Sequence, residues 1–385
     1  MLKRFLHVLL AMTLLMLTGC GGDPSGSDTP SQPVTEAPTE APTETPTEEP
    51  QAPTLPQSCG AQFDFVADGI YNYCPSIMQV DENTAYIYYC TNRSYYDIVD
   101  YVGSRKGTRQ EDGTWKWDRK EQIVLSPQKG AWDAHHTCDP SVIKGKFLYQ
   151  GEEYSYLMAY LGCTSYDNQD NKIGLAVAKN PQDTFVRIGE VPFVDFEFDG
   201  SEDIWEWGVG QPSLVNMDKE GRVMMFYTRG DRNGTRTLYA EWDLSDLSAP
   251  VQLSGGTLSA AGLVNLNGGA DIMNNADFLY DPATNRFYAV SDCHPNPSDE
   301  PNFISSHFRV TYFDASADFE TVVWESLAQI GPEETGAPRN HDNGILRDAY
   351  GHLPDGYLTV FYTVASTGTN SLWTYRIHSY YLALP

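Results

Sequence analysis

Five segments of the chain share one design. They are CPSIMQVDENTAYIYYCTN from Cys74, DPSVIKGKFLYQGEEYSYLMAYLGC from Asp139, QPSLVNMDKEGRVMMFYTRGD from Gln211, NADFLYDPATNRFYAVSD from Asn275 and DNGILRDAYGHLPDGYLTVFYT from Asp342. Each opens on a polar residue, continues through a short apolar run, turns at Asp, Gly or Asn, and returns as a Tyr-rich strand. The starting points lie 65, 72, 64 and 67 residues apart. β-branched and aromatic flanks around Asp/Gly/Asn turns mark β-hairpins. A hairpin recurring at this interval, with further strands between the copies, is the pattern of a β-propeller. The intervening strands are legible in NKIGLAVAKNP, DTFVRIG, TRTLYAEWDL and ISSHFRVTYFD, and no long amphipathic helix interrupts them. The expected fold is therefore all-β: a five-bladed propeller of four-stranded antiparallel blades over residues 58–385. A β-sandwich is the alternative, and it would leave five matched hairpins unexplained.

The preceding residues have a different character. MLKRFLHVLLAMTLLMLTGC has a basic start, an apolar stretch too short and wrongly flanked to span a bilayer, and small residues before Cys20. LTGC resembles the lipobox of bacterial lipoproteins, which implies a signal over residues 1–20 and lipidation at Cys20. Residues 21–57 combine Pro with Thr and Glu and contain seven acids and no bases. Too little apolar surface is present there to offset ordering entropy, so a disordered stalk is expected. Together these features imply a monomeric protein held at a bacterial cell surface, extracytoplasmic, contacting the membrane through its lipid anchor only.

The net charge of −27 makes nucleic acid an unfavourable partner. Past Cys20 the cysteines are Cys59, Cys74, Cys90, Cys138, Cys163 and Cys293. Cys74 with Cys90, and Cys138 with Cys163, bracket corresponding segments, which makes them candidate disulfide partners; buried free thiols are the other reading.

In a propeller the residues opening the innermost strands converge on the axis. Here they are Cys74, Asp139, Gln211, Asn275 and Asp342. The segments leading into those strands add acids at Asp68, Asp133, Glu206 and Asp271, with aromatics at Trp132, Trp205 and Trp207. Carboxylates at the mouth of an aromatic-lined channel suit glycoside hydrolysis, which needs one protonated and one ionised carboxyl group. Sugar faces stack on Trp and Tyr, of which the chain has 8 and 24. Asp139 and Glu206, followed by Asp133, are the candidate catalytic residues. Trp132, Trp205, Trp207, Gln211, Asn275, Asp277, Arg339 and Asp342 are candidate substrate contacts. His341 is the candidate axial metal ligand, while His135 and His136 read as loop residues because adjacent side chains diverge on an extended chain.

The layout resembles the furanosidase-type propeller glycosidases, particularly family 43 glycoside hydrolases, over about Phe63 to Leu384. CDPSVI, GQPSLV, IGLAVAKNPQDTFVRIG and RNHDNGILRD carry the resemblance. It implies hydrolysis of arabinan- or xylan-like polysaccharide or oligosaccharide by carboxylate acid/base chemistry, with no required cofactor. An axial divalent cation such as calcium near His341 is also compatible with it. The family opens its first, third and fourth blades with catalytic carboxylates, where this chain has Cys74, Gln211 and Asn275. Two functions follow: a hydrolase that draws its acids from elsewhere, or a non-catalytic glycan-binding propeller. A protein-interaction or envelope-structural propeller is a third reading.

Overall fold

The computed structural model describes residues 58–62, 71–94, 96–166, 169–198 and 206–384. The expected signal segment with Cys20, the expected stalk, Asp68 and Trp205 lie outside the described residues. Helix is confined, among the described residues, to one turn at Pro332–Thr335 and a 3-10 turn at Ser371–Thr374. Everything else regular is β-strand, as the turn spacing requires.

Three four-stranded antiparallel sheets follow one another. They comprise His136–Tyr149, Glu152–Cys163, Lys172–Ala178 and Val186–Arg187; Gly208–Asn216, Arg222–Asp231, Gly234–Asp243 and Val251–Thr257; and Asp277–Asp281, Arg286–Asp292, Phe308–Asp314 and Glu325–Ile330. They are called here the second, third and fourth units. A nine-stranded sheet holds the remaining two. The first unit has Asn72–Asp81, Thr84–Asn92 and Asp100–Arg109, with Trp115–Trp117 and Gln122–Leu125 both pairing to the last of these. The fifth has Arg339–Asp348, Tyr357–Ala365 and Arg376–Ala383, and Ser58–Ala61 from the opposite end of the chain adds its outer strand. Parallel pairing of Leu346 to Ile77 joins the two units.

The strands read as nearly unbroken apolar runs because both faces of each sheet are covered. Ile143, Leu157 and Leu175 of the second unit pack on Leu214, Val223 and Met225 of the third. Phe226 of the third meets Phe278 and Phe287 of the fourth, and Tyr288 and Val310 of the fourth meet Ile345 and Val360 of the fifth. Ile87 and Tyr89 of the first contact Leu346 and Phe361 of the fifth, while Met78 and Tyr88 face Val142 and Met158 of the second. Each unit thus buries its apolar faces against two neighbours. The closest approach is at Gly344, where a Cβ would stand 1.9 Å from the Pro75 carbonyl oxygen. Any side chain there would force the first and fifth inner strands apart.

Candidate active site

The polar-Pro-Ser openings have a common backbone geometry. Cys74, Asp139, Gln211, Asn275 and Asp342 all have left-handed φ, at 50, 45, 51, 48 and 45°. Non-glycine residues rarely adopt this conformation, so five equivalent instances mark a built feature. In the first, second, third and fifth units the strand register also slips across this point. Such a bulge turns a side chain out of normal strand alternation. All five residues line one axial cavity.

The serines that follow build the floor. Ser76, Ser141 and Ser213 accept the backbone N–H of Val142, Leu214 and Phe278, each from the next unit. Asp277 takes the same place in the fourth unit and accepts from Ile345 N–H at 2.9 Å. Arg347, 1 % exposed, crosses the axis beneath them. Its guanidinium donates to Ser76 Oγ, Ser141 Oγ and the carbonyls of Leu214 and Phe278, and pairs with Asp277 at 3.2 Å. Asp277 also accepts from Ser213 Oγ at 2.6 Å. Its carboxylate is committed to the floor, so the sequence expectation of a free sugar contact there is corrected.

Above the axis a wider cavity is lined by Tyr71, Tyr73, Tyr166, Phe303 and Tyr375, with Asp100, His136, His341 and Asp342. Asn275 and Asp342 line both cavities, so the two adjoin at these residues. No Lys or Arg is among the described residues lining either one.

Four acids surround this space. Burial, then repulsion from Asp342, pushes the Asp139 carboxyl up to about 7, against opposing hydrogen bonds from the Cys74 thiol and Gln211 N–H. Asp292, at the end of the second strand of the fourth unit, is pushed well above the ordinary range by burial and by Asp342. It accepts from Asn275 Nδ2 at 2.7 Å and Asn343 Nδ2 at 2.8 Å. Asp100 accepts from the hydroxyls of Tyr71 at 2.7 Å and Tyr73 at 3.1 Å and pairs with His136 Nδ1 at 2.8 Å. Asp342 pairs with His341 Nδ1 at 2.9 Å, and no described group partners His341 Nε2.

No protein-family model and no curated protein matches the chain. Solved structures do. A family 117 glycoside hydrolase of the marine bacterium Zobellia galactanivorans aligns with TM-score 0.53 at 13% identity, covering 84% of this chain and 88% of its own. The catalytic domain of a Coprinopsis cinerea GH62 α-L-arabinofuranosidase gives 0.54 at 9%, covering 85% and 96%. A GH43_1 enzyme of Xanthomonas citri, in complex with xylotriose, gives 0.53 at 12%, covering 85% and 90%. The fold is that of the propeller glycoside hydrolases.

On this propeller several expected site residues fall elsewhere. Asp133 is fully buried beneath the second unit, where it pairs with Arg187 at 2.7 Å and accepts from Tyr160 at 3.0 Å. A carboxylate sealed by an arginine has no access to substrate, which overturns its catalytic assignment. Glu206 lines neither cavity. Trp132 stacks on Tyr160, and Trp207 packs against Cys90, Cys138 and Leu161, so both are structural. Arg339 is 3 % exposed and bound to Asp299 and to the carbonyls of Pro301 and Pro338. It supports a loop rather than a ligand. Asp271 is likewise held by Arg309 and His294.

The cysteine pairing also differs from expectation. Cys90 joins Cys138, linking the first unit to the second, while the thiols of Cys74 and Cys293 are free. Hairpin pairing does place Tyr73 opposite Cys90, but the φ-inverted Cys74 turns toward the axis. Asp139 N–H donates to Cys90 Sγ at 3.0 Å, so the bridge abuts the axial acid. The only trio of metal-ligating side chains within reach of one another among the described residues is Cys74, Cys90 and Asp139. Cys90 is consumed by the disulfide. His341, placed in the sequence reading as a metal ligand, belongs to no such trio. Replacing Cys90 and Cys138 by serine opens a crosslink with a sequence separation of 48 residues. The expected loss is about 3–4 kcal/mol of stability, read from urea unfolding, with reductant then having no further effect on the variant.

Signals for the missed residues were weak. Asp100 and Asp292 open or close ordinary strands and occupy no repeated position. His136 was discounted as one of an adjacent pair. The structure sends His135 Nε2 to the Ile98 carbonyl and His136 into the mouth, so only one faces the cavity.

Proposed function

We propose that the protein is a surface-tethered glycoside hydrolase acting on extracellular oligosaccharide or polysaccharide of the arabinan or xylan type. We read its five sheet units as five blades. The observation that carries the activity is the entry of Asp139 and Asp342 into one cavity, with Asp139 poised near 7. A carboxyl that keeps its proton at neutral pH can deliver it to a departing glycosidic oxygen. Tyr73, backed by the buried rings of Tyr71 and Tyr375, and the exposed Tyr166 and Phe303 give the mouth aromatic surface against which a sugar can pack. The absence of lysine and arginine from the described lining favours uncharged sugars over uronates. Solved neighbours that include an arabinofuranosidase and a xylotriose complex support the substrate class. The tether rests on the N-terminal sequence and its lipobox resemblance.

A non-catalytic glycan receptor is the second reading, favoured by Cys74, Gln211 and Asn275 at three axial positions. Incubation with arabino-, xylo-, fructo- and galacto-oligosaccharides separates the two. Release of reducing ends at neutral pH is the expected result. Saturable binding without products across the panel would establish the receptor reading instead.

A further inference from the structure

We propose that His341 is the catalytic base of this site and that Asp342 orients it. The proposal rests on the hydrolase reading above and names the second proton-transfer group that reading requires. Hydrolysis must protonate a leaving oxygen and also remove a proton from the attacking water. Asp139 is poised to do the first. Among the other axial groups, Gln211 and Asn275 are amides, and the Cys74 thiol is pushed well up by burial, Asp139 and Asp342. Asp292 is likewise pushed up and is wrapped by two asparagine amides. None of these is suited to accept a proton at neutral pH.

His341 is arranged differently. It is 4 % exposed, its ring lines the mouth cavity, and the edge-on Tyr375 ring at 4.9 Å fixes its plane. Nδ1 lies 2.9 Å from Asp342 Oδ2. In the neutral ring that bond places the hydrogen on Nδ1 and the lone pair on Nε2. Nε2 is buried without a hydrogen-bond partner, and a buried polar atom left open in this way calls for one supplied by water or ligand. His136 has a carboxylate neighbour too, but Asp100 is already claimed by two tyrosine hydroxyls, and its Nε2 faces the Tyr166 carbonyl at 3.4 Å. His136 is therefore tied into the wall, while His341 Nε2 has no hydrogen-bond partner among the described residues.

The step balances as ordinary hydrolysis. His341 Nε2 takes a proton from water as the water oxygen bonds to the anomeric carbon. The carbon–oxygen bond to the leaving group breaks, and the Asp139 proton goes to that oxygen. Attack from the face opposite the leaving group inverts the anomeric centre. Solvent then carries the imidazolium proton back to the Asp139 carboxylate.

The test compares an oligosaccharide that the protein cleaves with the 2,4-dinitrophenyl glycoside of the same sugar, whose leaving group needs no protonation. Asp139→Asn should lose about 100-fold or more on the oligosaccharide but under about 10-fold on the aryl glycoside. His341→Ala and His341→Gln should lose about 100-fold or more on both. Azide needs no base, so it should restore aryl glycoside turnover in His341→Ala and give a glycosyl azide of inverted configuration by NMR. Unfolding midpoints near that of the parent protein establish that the variants fold. If the parent protein turns over neither substrate, the hydrolase reading falls, and this proposal with it. If the parent is active, the proposal is overturned by near-normal turnover in folded His341 variants, by failure of azide rescue, or by retained configuration in the products.

Discussion

Asp139→Asn is expected to abolish oligosaccharide hydrolysis and, above neutral pH, to make the protein more stable. Both effects come from one cause. Burial and the nearby Asp342 push the Asp139 carboxyl from 3.8 to about 7. Between these values the folded protein holds a proton that the unfolded chain has released, so stability falls as pH rises through that window. Three pH units correspond to about 4 kcal/mol. Because Asp139 opens partly to the cavity, solvent reduces the effect to on the order of 2–4 kcal/mol. The amide cannot ionise and escapes that cost. Urea unfolding at pH 4 and pH 8 checks it: variant and parent should be close at pH 4, and the variant should gain at pH 8. An equal difference at both values would show that Asp139 is not strained by ionisation. Hydrolysis by the parent protein should correspondingly decline as pH rises past about 7, where Asp139 loses the proton it must donate.

Arg347→Met is expected to be the most damaging single change to the propeller. It removes the cation opposite Asp277 at a site where both are buried, and strands the Leu214 and Phe278 carbonyls that the guanidinium satisfies. Breaking a buried pair on one side costs about 3–5 kcal/mol. Adding Asp277→Asn removes the orphaned charge and keeps an oxygen for Ile345 N–H, while its amide nitrogen replaces the oxygen that faces Ser213 Oγ, a hydroxyl that can turn to accept. The double variant should therefore recover about 1–3 kcal/mol relative to the sum of the singles. Thermal or urea unfolding of the four proteins completes the cycle. A loss under about 1 kcal/mol for Arg347→Met would show that the axis does not depend on this residue.

The five axial positions were legible because each unit had to repeat the same left-handed opening, and that backbone conformation, with the turn that follows, favoured similar polar residues. Asp139, Gln211, Asn275 and Asp342 could be aligned from those openings alone, and the structure brings them into one cavity. Loop residues followed no such rule. Asp133 and Glu206 both looked like acids guarding a blade opening, but Arg187, far along the chain, turned Asp133 into a buried ion pair. Trp132 and Trp207 carried the composition of a sugar platform and instead filled space beside Gly162 and Gly210, where no side chain competes with the ring.

Local chemistry in the sequence thus determined the all-β class, the hairpin turns and the axial ring, since period, turn residues and apolar runs act over neighbouring positions. Only the tertiary structure decided which groups face each other across the channel. The Cys90–Cys138 bridge, the Asp100–His136 pair, the amide-wrapped Asp292 and the Arg347 plug include partners from different units or different strands. Electrostatic environment depends on that assembly as well. Asp139 is an ordinary aspartate in the chain and becomes an acid poised near neutrality only when burial and Asp342 meet it at the axis.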